Sequence, residues 1–211
     1  MAGTGVDLST GIAGYFARTL AEHGPTARGV DWNGEAGQTL RFAQLCKIIA
    51  AGSRDFSLND LGCGYGALLD FVADKFAVTA YCGVDVCSDM VAAARARHAG
   101  HPAARFITAT EPDAAADYGM ASGIFNVRLA VPDDIWLSHV QATLDTLHAT
   151  SRAGFAFNCL TTYSDPEKMR ASLYYADPCR LFDLCKRRYS KQVALLHDYG
   201  LYEFTVLVRK T

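Results

Sequence analysis

The stretch Leu58-Asn59-Asp60-Leu61-Gly62-Cys63-Gly64-Tyr65-Gly66 sets three glycines at alternate positions just after an acidic residue. A second acid, Asp85, follows nineteen residues after Gly66, at the end of the apolar run VTAYCGVD. Glycines so spaced let the backbone turn tightly and come close to a ligand at the N-terminus of the helix that follows. With Ala67 the loop also satisfies the relaxed dinucleotide pattern GxGxxG/A, so an NAD(P)-dependent oxidoreductase is one reading.

Asp60 separates that reading from its rival. It stands two residues before the first glycine, where a dinucleotide would lay its pyrophosphate. A carboxylate about 4 Å from a phosphate charge costs a few kcal/mol in a partly buried site. S-adenosylmethionine has no phosphate and carries an ammonium and a sulfonium, both of which favour a nearby carboxylate. Asp85 is suited to accept the ribose hydroxyls of an adenosine, a feature common to both cofactor classes.

The elements that must position these residues alternate. Up to about Gly52 the pattern reads as helix and loop, with Tyr15, Phe16 and Leu20, then Leu40, Phe42, Leu45, Ile48 and Ile49, at helical spacings. Beyond it, strand-like runs at 57–62, 78–85, 104–109, 118–125 and 154–160 alternate with helical runs at 65–75, 88–98 and 133–150. Asp177-Pro178 reads as an N-cap and first-turn proline opening a helix to about Arg188. KQVALLHDYGLYEFTVLVRK then reads as two strands around a turn at Asp198-Tyr199-Gly200. The expected fold is α/β and doubly wound: a mostly parallel seven-stranded sheet, a C-terminal antiparallel hairpin, and an N-terminal helical cap over residues 1–52, with the sheet domain over 53–211.

Composition agrees with one compact unit. The 211 residues are 50% apolar and 20% charged, which excludes wholesale disorder. Twenty basic residues against 22 acidic ones, net −2, give no basic excess for a polyanion, so no nucleic-acid partner is expected. MAGTGVDLST lacks a basic, then apolar, leader, and no apolar run approaches the roughly 20 residues of a membrane span. Seven scattered cysteines without a CxxC pair fit reduced thiols in the cytoplasm and no metal site. A monomer or homodimer is expected.

From LNDLGCGYG through GVDVCSDMVAAARAR and YGMASGIFN to the closing hairpin, about residues 55–210, the chain resembles the class I, Rossmann-like S-adenosylmethionine-dependent methyltransferases. The resemblance implies S-adenosyl-L-methionine as cofactor. It implies that Asp60, Gly62, Cys63, Gly64 and Gly66 run under the methionine portion, that Asp85 holds the ribose, and that Val86 and Met90 border the adenine near Ala109 and Thr110. Residues 31–42, with Trp32, Gln38 and Arg41, look like the cap such enzymes fold over the cofactor. Arg41 is then a candidate partner for the methionine carboxylate, its guanidinium fork matching a carboxylate bidentately. A cofactor-binding module without catalysis is a further alternative.

Residues leaving the fourth and fifth strands should line the acceptor pocket, here Phe125 and Asn126, then Asn158, with Tyr175 and Tyr199 as aromatic neighbours. SGIFN is not the Asn/Asp-Pro-Pro-aromatic motif of many relatives that methylate nucleobase or glutamine amino groups, which argues against that acceptor class. The stretch GFAFNCLTTYSD…LYYADP…LHDYGLYEFTVLVRK resembles small methyltransferases of bacterial polysaccharide and natural-product gene clusters, which implies a hydroxyl of a sugar or natural-product type metabolite. A hydroxyl acceptor benefits from a general base. His197 in HDYGLYE is the first candidate and His23 the second, with His98, His101, His139 and His148 assigned to solvent. The run Lys186-Arg187-Arg188 with Lys191 is a candidate phosphate contact.

Overall fold

The computed structural model describes residues 8–53 and 55–210. Helices α1 (Leu8–His23) and α2 (Glu35–Leu45) precede β1 (Asp55–Leu61), α3 (Ala67–Ala73), β2 (Ala77–Asp85), α4 (Ser88–Arg97), β3 (Ala104–Thr108) and β4 (Ala116–Ala121). Then come α5 (Asp133–Ala149), β5 (Ser151–Thr161), the two-residue β6 (Tyr175–Ala176), α6 (Pro178–Arg188), β7 (Gln192–Leu196) and β8 (Glu203–Arg209). The sheet runs β3-β2-β1-β4-β5-β8-β7, parallel from β3 to β5, with β8 antiparallel to both β5 and β7. The doubly wound sheet with its closing hairpin is therefore as expected. The addition is β6, which pairs with Leu160 and Thr161 where β5 runs on beyond its pairing with β4.

Each face of the sheet is sealed by helices. On one face Phe42, Leu45, Ile48, Leu69 and Val91 pack against Phe56 and Leu58. On the other, Trp136, Val140, Leu144 and Leu147 form one stripe of α5 over Phe155, Phe157 and Val206, each burial stabilising by about 1.5–3 kcal/mol. Asp177 caps α6 as its sequence implies, its carboxylate accepting from Cys179 N and Arg180 N ahead of the buried Pro178.

The N-terminal segment divides in a way its periodicity does not reveal. α2 and the turn after it sink Phe42, Leu45 and Ile48 into the main core, so residues 35–52 pack with the sheet and not as a separate cap. The piece that overhangs is α1 with the loop to Asn33. α1 has no fully buried residue and rests Phe16, Ala17 and Leu20 on Tyr65, Cys87 and Met90. Residues 1–7 of the expected cap lie outside the described residues.

Candidate active site

A cavity of about 620 Å³ opens along the carboxyl edge of the central strands, below α1. Strand β1 delivers Asp60 and the glycine loop to it. Gly62 N and Cys63 N both donate to Val84 O, at 2.7 and 3.0 Å, which pins the loop to β2. Gly62, Gly64 and Gly66 all have positive φ, and a Cβ on Gly62 would stand 2.0 Å from Ile124 Cγ2. Only glycine supplies both that conformation and that close approach.

The two acids are tied into this loop. Asp85 Oδ2 accepts from Gly64 N at 2.8 Å and Oδ1 from Cys87 N at 2.9 Å. Burial pushes its carboxyl up, and those backbone N–H groups pull it back. Asp60 is more deeply buried, and its Oδ2 accepts from the Tyr81 hydroxyl. Burial raises it to about 7; the Tyr81 bond opposes the rise and the charge of Asp85 adds to it. Tyr81, the residue that most directly supports Asp60, was not singled out from sequence. Its place in β2 opposite Leu58 carries no polar signature, and the contact exists only because the strands pair in this register.

Of the expected cofactor residues, Trp32, Arg41, Asp60, Gly62, Cys63, Gly64, Asp85, Val86 and Met90 all line the cavity, with Ala109 and Thr110 beside them. Gly66 does not. It begins α3 and faces His98, whose Nε2 lies 2.9 Å from Gly66 O and whose ring stacks on Phe106 at 5.4 Å. His98 therefore braces the glycine loop and is not the solvent-facing residue expected.

Arg41 requires a correction. Its Nε and Nη2 donate to Glu203 Oε2 and Oε1 at 2.7 and 3.0 Å, so the fork expected for the methionine carboxylate is already engaged by a carboxylate of the protein. Its guanidinium also stacks on Trp32, 3.9 Å from the ring centroid. Trp32 in turn lies over Gly123, where a Cβ would come within 2.3 Å of the ring. Glu203 is buried, lines the cavity and carried no signal in the sequence, since it reads as the polar start of a hydrophobic strand.

Of the residues expected at an acceptor pocket, Asn126 and Tyr175 line the cavity, and Phe125, Asn158 and Tyr199 do not. Phe125 is fully buried against Phe157 at 5.7 Å. Asn158 sits behind the wall, its Oδ1 accepting from Gly123 N at 2.6 Å, which turns the chain out of β4 earlier than its apolar run suggests. Tyr199 bonds Thr205 Oγ1 at 3.0 Å, and Tyr202 takes the place at the cavity.

His197 is the second correction. It is exposed beyond β7, against Tyr163 and Phe204 at 5.8 and 6.0 Å, and is not among the lining residues. The hairpin turn carries it past the edge of the cavity. The histidine that does line it is His139, half-buried and 5.1 Å from Trp136, with its pKa lowered by burial. Its position three residues after Trp136 on the buried stripe was the available signal. The basic run also lies elsewhere: Arg187 pairs with Asp183 and Arg188 with Asp145, both at 2.7 Å, away from the cavity.

Residues 59–153 match the methyltransferase-domain family. A protein of Mycobacterium tuberculosis named "Putative methyltransferase Rv1506c" is 65% identical over 155 residues, 74% of this chain and 93% of its own length. The chain belongs to the class I S-adenosylmethionine-dependent methyltransferases. Solved structures share the fold at low identity. Magnesium protoporphyrin IX methyltransferase from Synechocystis, crystallised with S-adenosylmethionine, gives a TM-score of 0.69 at 14% identity over 99% of this chain and all of that one. The DhpI-SAM-HEP complex gives 0.69 at 15% over 99% and 100%. The small RNA methyltransferase HEN1 gives 0.58 at 16%, over 82% of this chain and 26% of that one. At such identities these likenesses speak for the fold.

Proposed function

We propose that this methyltransferase acts on a hydroxyl of a small, uncharged acceptor of sugar or natural-product type, in the cytoplasm. The observation that carries the acceptor half is that the cations lining the cavity are paired. Its lining cations are Arg41, Lys168 and Arg170, and each meets a carboxylate: Glu203 at 2.7 Å, Asp165 at 2.9 Å and Asp31 at 3.2 Å. A nucleic-acid acceptor is held by cations that neutralise phosphates, and among the described lining residues each cation already has its counter-charge.

The residues at the glycine loop fit S-adenosylmethionine. The absent Cβ at Gly62 and Gly64 lets Ile124 and Val30 close on the loop whose backbone lines the cavity, and two carboxylates at one end suit a cation and repel a pyrophosphate, which disfavours the dinucleotide alternative. When bound, the cofactor supplies an electrophilic methyl on a positively charged sulfur. Asp85 is suited to the ribose hydroxyls, and Val86, Met90 and Ala109 to the adenine. α1, through Ile12 and Phe16, and Trp32 form part of the cavity wall, so acceptor and methyl can be held in line, the main source of rate in such a displacement. His139 is the imidazole on the cavity lining suited to receive the acceptor's proton, since burial lowers its pKa and favours its neutral form.

The test is radiolabelled methyl transfer from S-adenosylmethionine to a panel of phenols, sugars and sugar lactones, with RNA oligonucleotides alongside. Acceptor-dependent transfer to hydroxylated small molecules is expected. Transfer to RNA alone refutes the acceptor half, and failure to bind the cofactor by calorimetry refutes the whole reading.

A further inference from the structure

The methionine end of S-adenosylmethionine carries a carboxylate as well as an ammonium, and the cavity has to place both. Asp60 and Asp85 stand at the glycine loop and repel a carboxylate. Among the described lining residues the cations are already engaged, Arg41 by Glu203, Lys168 by Asp165 and Arg170 by Asp31. A neutral N–H donor is left to meet the carboxylate. We propose that the side-chain amide of Gln38, oriented by Tyr65, receives the methionine carboxylate in the place the sequence suggests for Arg41.

Gln38 lies on α2, one turn before Arg41 and so on the same face of the helix. It is buried and lines the cavity. Its tie to the glycine loop is direct: the hydroxyl of Tyr65, the residue between Gly64 and Gly66, donates to Gln38 Oε1 at 3.0 Å. Tyr65 is buried in turn, clustered with Cys87 and Met90 under Phe16, Leu20 and Val30, so the hydroxyl that orients the amide is itself held. A glutamine amide offers an oxygen acceptor and a two-hydrogen nitrogen donor. With Oε1 committed to Tyr65, Nε2 is the atom left over.

Nε2 has no hydrogen-bond partner among the described residues, yet it is not one of the sealed polar atoms such as Ser122 Oγ. Gln38 is otherwise packed, so the opening that reaches Nε2 is the cavity that the residue lines. The other lining amides are less suited. Asn126 Nδ2 is turned to Glu203 at 3.4 Å, and Asn33 stands in the exposed loop before α2. A buried amide with one end fixed and its donor end open is completed by an acceptor on a ligand, and a hydrogen bond to a carboxylate is among the stronger kinds. The division of labour also suits a zwitterion: Gln38 draws the carboxylate toward α2, and Asp60 is left to the ammonium.

The inference rests on S-adenosylmethionine being the cofactor, and its test needs no acceptor. The probes are S-adenosylhomocysteine, its decarboxylated analogue, and methylthioadenosine, which lacks both charged groups, each titrated by calorimetry. Gln38→Ala should weaken S-adenosylhomocysteine about tenfold or more, the worth of a hydrogen bond to a charged partner, and leave the other two probes within about twofold. Gln38→Glu keeps the shape and the acceptor for Tyr65 but sets a carboxylate against a carboxylate. It should weaken S-adenosylhomocysteine about 30-fold or more and bind the decarboxylated analogue at least as well as the wild type does. Methylthioadenosine affinity reports that each variant retains its pocket. A Gln38→Glu variant that binds S-adenosylhomocysteine as tightly as the wild type overturns the proposal. So does a Gln38→Ala variant that loses all three probes equally, the mark of a mere strut between α2 and the loop. Failure of the wild type to bind S-adenosylhomocysteine would instead refute the cofactor reading.

Discussion

Replacing Asp60 by Asn tests the electrostatic core of the site. In the unliganded protein Asp60 titrates near 7, because it is buried and bonded only to the Tyr81 hydroxyl. A cationic ligand lowers that pKa, so binding releases a proton and affinity rises with pH. The sign follows from the folded pKa lying above the ordinary carboxylate value of 3.8: below 7 the carboxyl is mostly neutral and the ligand must ionise it. If the bound form is fully ionised, S-adenosylmethionine affinity should fall about 15-fold from pH 7 to pH 5.5, with about half a proton released per cofactor at pH 7. Asp60→Asn should bind about 10- to 100-fold more weakly at pH 7, the worth of a charged hydrogen bond of about 1.5–3 kcal/mol, with most of the pH dependence gone. Calorimetry in two buffers of different ionisation enthalpy reads both quantities. Equal affinity at pH 5.5 and 7 in the wild type, or an unaltered pH slope in Asp60→Asn, refutes the reasoning.

Gly62→Ala combines a left-handed backbone, φ 76°, with a Cβ 2.0 Å from Ile124, so it should lower S-adenosylmethionine affinity by more than about tenfold and reduce thermal stability. His139→Ala, which removes the proposed proton acceptor, should lower kcat by about 100-fold or more, whereas His197→Ala, at an exposed site outside the cavity, should leave kcat within about twofold. Because burial lowers the pKa of His139 from 6.5, the unfolded chain takes up its proton first as pH falls; the wild type should therefore lose more stability between pH 6.5 and 5.5 than His139→Ala, by denaturant melts.

Local chemistry was enough to bring the proposed cofactor residues to one cavity. Asp60, Gly62, Gly64 and Asp85 meet because a strand, a glycine turn and a helix follow one another, and a parallel crossover brings the next strand's end alongside. Alternating strand and helix patterns, the Asp177 cap and the closing hairpin were legible for the same reason, since each rests on a few consecutive residues. The acceptor end was not. Arg41 and Glu203 are 162 positions apart, and their pairing exists only once α2 packs on β8. That contact changes Arg41 from a free fork into half of a neutral pair. His139 and His197 exchange places for a similar reason: a histidine's access to the cavity depends on which way α5 is rolled and how far the last hairpin extends. Composition and motif determine what kind of ligand the loop receives, because backbone conformation and charge act over a few residues. Only tertiary packing decides which side chains from distant segments share the cavity with it, and so what the methyl group can meet there.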